Sequence, residues 1–227
     1  MPLDKLPQTP FGAVYFRKSN PPREDWDRDY GVASEDGLNV FRHWFMWSAI
    51  ERKPGHYDWE DYDRQMDLAA KNGMKTIIAE LTHTVPDWAY RKFAHARQIR
   101  ADGRPLEASM GVSAAVGGFA HNGGGAGSLT MNCPEVKEAA GAFLTALAAR
   151  YKGHPGLLGY DVWNEVNYSA DVDFSDYMQA DFRLWLKEKY GDLESLAQVW
   201  YRYSYADWDD IEAPREVAAY PQNLDWL

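Results

Sequence analysis

An α/β fold with a parallel sheet and helices outside it is predicted by three features of the 227-residue sequence. Four short apolar runs, at residues 11–16, 38–45, 74–81 and 157–166, alternate with stretches of helical periodicity. The third run, MKTIIAEL, is continuously apolar rather than alternating, as expected of a strand covered on both faces. Right-handed crossovers between successive runs then make all the strands parallel. Four βα units are half of an eight-stranded (β/α)8 TIM barrel, which takes about 250 residues. The expected architecture is therefore a truncated barrel of that type, with residues 1–227 forming part of a single domain and no second domain.

The elements follow in order. Phe11 to Phe16 reads as a buried strand ended by the turn-rich KSNPP, and residues 24–36 as a short helix closed by Gly37. Leu38 to Phe45 is a second strand, with Arg42 inside it, and Glu51 to Tyr57 is a turn. Trp59 to Asn72 carries Tyr62, Met66, Ala69 and Ala70 at helical spacing, and Gly73 sits where a C-cap belongs. Met74 to Leu81 is the third strand. From Thr82 to Thr130 the sequence reads as irregular and glycine-rich, a length usual for lids or binding loops. Pro134 opens a helix to Tyr151 that presents Val136, Phe143, Leu144, Leu147 and Tyr151 on one face. Leu157 to Val166 is the fourth strand. A helix from Asp173 to Tyr190, capped at Asp173 and stopped by Gly191, would bury Phe174, Met178, Phe182, Trp185 and Leu186. A short helix over Leu193 to Trp200 follows.

Composition narrows the function. With 34 Asp+Glu against 24 Lys+Arg and no basic block, a nucleic-acid or anionic-membrane partner is not expected. Cys133 is the only cysteine, which rules out an internal disulfide. The opening MPLDKLPQTP lacks the apolar core of a signal peptide, and no run is long enough to span a membrane, so a cytoplasmic protein is expected. Aromatics reach 15%, with ten Trp and fourteen Tyr, enough for either a well-packed core or stacking faces for a sugar.

The chemistry concentrates in LLGYDVWNEV, an apolar strand that delivers Asn164 and Glu165 side by side at its carboxyl end, where ligands meet a parallel sheet. Glu165 there is either a general acid/base or a cap for the next helix. Arg42, in an apolar strand, calls for a carboxylate partner because burying an unpaired cation is costly. Glu80 ends the third strand by the same logic, with a salt bridge to Arg42 or Lys75 as its alternative. His83 and His43 lie near strand ends and are candidates for a cleft, although a hydrogen-bonded core histidine is the commoner outcome. No metal is expected, since the six His are scattered, H-E-x-x-H is absent and one thiolate cannot form a cage. Asp171, Asp173 and Asp176 lack the glycine and closing Glu of a calcium loop. The glycine cluster is not followed by Lys-Ser/Thr, which argues against a phosphate cradle, and no cofactor is expected.

Three stretches carry a family resemblance: FRHWFMWSAIERKPGHYDWEDYDRQMDLAAKNGMKTI, RYKGHPGLLGYDVWNE and FRLWLKEKYGDLESLAQVWYRYSYADWDDIEAP. They resemble the β-galactosidases of family 42 of the glycoside hydrolases, retaining enzymes built on (β/α)8 barrels, and the likeness runs from Phe11 onward. The resemblance implies that Glu165 is the general acid/base, that Asn164 contacts the sugar beside the scissile bond, and that Arg42 supports the catalytic carboxylates. Trp163, Glu80 and His83 complete the expected substrate site. It also implies an oligosaccharide or β-galactoside substrate and leaves room for homo-oligomers of the full-length protein. Many members carry a Cys-x-Cys-x-x-Cys zinc cluster after the acid/base strand, where this chain reads NYSADVDFSDYMQADF. The family's nucleophile is a Glu on the seventh strand, which is not expected within these residues. Glu80, on a neighbouring strand, and Asp161, expected deep in mid-strand, do not substitute for it. The isolated chain is accordingly expected to be inactive and, with its outer strands unpaired, prone to self-association. A carbohydrate-binding protein without catalysis, or a retaining glycosidase of the same clan acting on another sugar, are the alternatives.

Overall fold

The computed structural model describes residues 9–16, 18, 20–79, 82, 84–106, 119–120, 128–162, 173–216 and 218–226. Its centre is a parallel sheet of four strands in the order β1 (Gly12–Val14), β2 (Val40–Trp44), β3 (Lys75–Ala79) and β6 (Leu157–Tyr160). Around it lie helices α1 (Trp26–Glu35), α2 (Trp47–Ile50), α3 (Glu60–Lys71), α4 (Asp87–Lys92), α5 (Pro134–Tyr151), α6 (Asp176–Tyr190), α7 (Leu193–Trp200) and α8 (Pro221–Trp226). The excursion between β3 and α5 holds a two-stranded antiparallel ribbon, β4 (Thr84–Val85) with β5 (Phe119–Ala120). Strand, crossover and parallel strand repeat as the sequence predicts, and the result is part of an α/β barrel.

Strand alternation sorts β2 between two environments. Phe41 and His43 point toward the helices and are buried, whereas Arg42 and Trp44 point to the opposite, inner face and are half-buried. Phe45 continues the helix side, and the main core gathers there from Phe16, Tyr30, Tyr62, Met66, Phe143 and Tyr151. In β3, Thr76 and Ile78 take the helix side. Between Thr76 and Ile77 the register with β6 shifts: Thr76 faces Leu157, but Ile77 faces Gly159, so Leu158 is an extra residue. Gly156 just before the strand must be glycine, because a Cβ there would stand 2.5 Å from the Met66 carbonyl oxygen.

Several sequence expectations need correction. Phe11 to Phe16 is not a uniformly buried strand, since Phe11 is 61% and Val14 51% exposed and only Phe16 enters the core. The cause is position, because β1 pairs on one side only and its inner face is uncovered among the described residues. The stretch after Thr82 is less irregular than expected: Pro86 precedes α4, and the chain then makes a 3-10 turn over Ala94–Ala96. α6 starts at Asp176, and its cap is Ser175, whose Oγ accepts the Met178 N–H. Asp173 instead accepts the N–H groups of Ile99 and Ser175, tying the excursion to the start of α6. Trp185 is 43% exposed rather than buried, and Gln179, Phe182 and Leu186 form the inner face. Gly191 ends this helix with φ +80°, a conformation that penalises any Cβ.

Candidate active site

Arg42 projects from the middle of β2 onto the sheet's inner face. Its Nε and one terminal guanidinium nitrogen donate to Asp161 Oδ2, at 2.9 and 2.8 Å. Asp161 follows directly on β6, and its N–H donates to the Ile78 carbonyl at 2.8 Å, so backbone pairing with β3 holds it level with the strand end. The side chains are 18% and 32% exposed, which places the pair between a screened surface bridge and a desolvated one. Expectation and structure agree that Arg42 requires a carboxylate. They differ on Asp161, which lies past the strand rather than in mid-strand and is itself that partner. Sequence reasoning set it aside because an acidic residue inside an apolar run reads as too deep for chemistry. The arrangement fixes a cation against the residue that follows β6, four residues before Glu165 in the sequence.

Of the six residues expected to form the site, Arg42 alone lies among the described residues. Glu165, Asn164, Trp163, Glu80 and His83 lie outside them. His43 does not line a cleft; it is fully buried on the helix side of β2. Lys75, the alternative partner for Glu80, donates to the Pro155 carbonyl at 2.5 Å.

The segment after β2 is held by a buried carboxylate. Glu51, 4% exposed, accepts from Trp47 Nε1 at 2.5 Å and from the Gly55 N–H at 2.7 Å, while its own carbonyl accepts from Trp88 Nε1 at 2.8 Å. Thus the Trp-Ser…Glu…Pro-Gly pattern of the sequence closes a turn around one acid and pins α4 to it.

Three donors unanticipated by the sequence reading also converge: His95 from the 3-10 turn, Cys133 at the N-cap of α5, and Glu135 in its first turn. Their separation in sequence concealed this grouping. A four-cysteine zinc cluster does not fit this chain, which has a single thiol.

A family model for family 42 of the glycoside hydrolases, described as beta-galactosidase, matches residues 15–227. The chain belongs to this family. Among curated relatives, a β-galactosidase of Planococcus sp. is 28% identical over 220 residues, covering 95% of this chain and 30% of the relative. One from Geobacillus kaustophilus is 29% identical over 213 residues, covering 90% of this chain and 30% of its own length. Among solved structures, the β-galactosidase of the psychrophilic Marinomonas ef1 superposes with a TM-score of 0.76 at 26% identity, covering 94% of this chain and 32% of that one. The chain thus spans about 30% of the length of the curated relatives it matches. The β-amylase catalytic domain of Paenibacillus polymyxa, at 14% identity and a TM-score of 0.60, shares the fold alone.

Proposed function

We propose that these residues supply the acid/base half of a retaining β-galactosidase acting on terminal β-galactosides or oligosaccharides that carry them. Glu165 protonates the glycosidic oxygen as the bond to the anomeric carbon breaks, and later takes a proton from the water that releases the sugar. Asn164 hydrogen-bonds the sugar beside the scissile bond, Arg42 supports the carboxylates electrostatically, and Trp163, Glu80 and His83 line the substrate site. A second carboxylate, about 5–5.5 Å from the first, attacks from the opposite face in such a mechanism, and none within these residues is assigned to that role. The chain works as part of one catalytic (β/α)8 domain, in the cytoplasm, without a redox or organic cofactor.

The observation that carries this reading is the family match across residues 15–227. It is supported by Arg42, a cation held on the sheet's inner face by Asp161, the residue that follows β6. The test compares two galactosides, one with a nitrophenol leaving group and one with a sugar leaving group. In a longer protein carrying this chain, Glu165→Gln should lower turnover of the sugar-leaving substrate by about 10²–10⁴-fold and spare the nitrophenyl substrate's first step, which needs no protonation. The 227-residue chain alone should show no turnover. Equal loss in the first step on both substrates, or turnover by the chain alone that survives Glu165→Gln, would remove Glu165 from the acid role.

A further inference from the structure

Arg42 and Asp161 lie on strands that are not neighbours, since the sheet order is β1, β2, β3, β6 and Asp161 follows β6. At a strand spacing of about 4.8 Å their backbones are about 10 Å apart, so the Arg42 arm reaches Asp161 only by lying extended across β3. It ends with Nε and a terminal nitrogen both donating to Oδ2, at 2.9 and 2.8 Å. The residues level with Arg42 across the sheet are Val14, Ile77 and Gly159, none of them polar. An apolar residue would continue that row at less cost than a cation, and an ion pair whose side chains are 18% and 32% exposed adds little to stability. Stability alone does not explain two opposite charges set into this face. What the pair achieves is a long, flexible side chain held in one place. Two bonds to one oxygen fix the guanidinium, and the Asp161 N–H, donated to the Ile78 carbonyl at 2.8 Å, fixes the backbone that carries that oxygen.

We propose, on the reading that Arg42 serves the catalytic carboxylates, that Asp161 is a positioning residue for the reaction. It touches no reacting atom and acts by presenting Arg42 in one orientation. A cation already in place stabilises charge that develops in the transition state without first reorganising, and that advantage is lost when its side chain is free to rotate. Two properties of Asp161 carry the role. Its charge holds the guanidinium, and its reach sets where the guanidinium stops. Lys75 does not compete for this carboxylate, since its Nζ donates to the Pro155 carbonyl at 2.5 Å. The effect falls on kcat rather than KM, because the ground state gains little from a cation fixed where only the transition state develops charge.

The experiment is a double-substitution cycle at Arg42 and Asp161 in a longer protein carrying this chain, assayed on a nitrophenyl β-galactoside. Asp161→Asn keeps the shape and removes the charge, and should lower kcat about 10–100-fold while KM changes by less than about twofold. Arg42→Gln should cost as much or more, and the double variant should be no slower than Arg42→Gln alone, because Asp161 acts only through Arg42. Asp161→Glu, with the charge restored on an arm one methylene longer, should recover part of the loss. Melting temperatures are read alongside, since a merely structural pair would lower them without singling out kcat. If Asp161→Asn does not fold, Asp161→Glu decides: kcat reduced severalfold at unchanged KM supports the role, and full kcat overturns it. A folded Asp161→Asn with kcat within about twofold of the unaltered protein, or losses that multiply in the double variant, would also overturn it. Glu165→Gln is assayed in parallel. Equal first-step loss on sugar and nitrophenyl leaving groups would remove Glu165 from the acid role, while the coupling of Arg42 with Asp161 is still decided by the cycle.

Discussion

The Phe16 N–H donates to His43 Nδ1 at 3.1 Å, and an N–H donor dictates that this ring nitrogen is unprotonated. The proton therefore sits on Nε2 and is donated to the Tyr30 hydroxyl at 2.8 Å, which in turn donates to Gln65 at 3.0 Å. A second ring proton would face the Phe16 N–H inside a fully buried site. Burial accordingly pushes the His43 pKa down to about 3. Because the folded value lies below the unfolded one of about 6.5, His43 contributes stability above that pH, and the contribution drains away as pH falls from about 6.5 to about 3. His43→Gln should flatten the acid limb of the stability curve across that window by an amount on the order of a few kcal/mol, read from urea midpoints at a series of pH values. The roles of individual residues were legible in the sequence where one strong energetic rule applied. Arg42 in an apolar strand demanded a carboxylate, and a histidine beside it read as a core histidine. What the rule does not supply is the partner's identity, because Asp161 reaches Arg42 only through strand pairing 119 residues away in sequence.

Among the elements, α8 shows how little sequence pattern a short helix needs when one side chain anchors it. Asp225, 8% exposed at its side chain, accepts from Lys189 Nζ at 2.5 Å, the Tyr190 hydroxyl at 2.6 Å and Trp200 Nε1 at 2.7 Å. It thereby joins α8 to the ends of α6 and α7. Burial by itself pushes this carboxyl's pKa up, but the three donors outweigh burial and hold it below the usual range. With the folded value depressed, the contribution is present above the unfolded carboxylate pKa of about 4 and lost as pH falls below it. Asp225→Ala should lower stability by about 2–3 kcal/mol and speed amide exchange across residues 221–226, while exchange in α5 stays unchanged. The longer helices were legible because apolar spacing over three or more turns is hard to mistake, as in α3 and α5. The six-residue helices α4 and α8 carry too few turns for a period, and their positions follow from Pro86 and from Asp225 instead. The start of α6 shifted because Asp173 and Ser175 are both competent caps, and the Asp173 carboxylate is engaged by Ile99.

At the scale of the molecule, the sheet's outer face is packed under α1, α3 and α5, while its inner face leaves Val14 at 51% exposure, and Val162, just past β6, is 70% exposed. Among the described residues β1 and β6 are each paired on one side only. Open edges beside uncovered apolar residues favour pairing with another chain, opposed here by a net charge of −10. The isolated chain should therefore sediment above its monomer mass of 25.9 kDa, and more so as salt screens the charge. A monomer at all salt concentrations would show that the edges are protected. Parallel strands with outer helices were legible from the alternation of runs, whereas the irregularity in β6 was not, since nothing in LLGY marks an extra residue. That irregularity acts as a parity switch. Leu157 and Gly159, two apart, answer to opposite sides of β3, and only this offset turns Asp161 toward Arg42. The same residues paired without the offset would form a strand of equally good hydrophobicity yet turn the carboxylate away from its cation, whereas deleting Leu158, the extra residue, would leave Gly159 and Tyr160 opposite Ile77 and Ile78 and keep Asp161 facing Arg42. What these four residues must preserve is thus the register in which they pair with β3, and hydrophobicity alone does not set it.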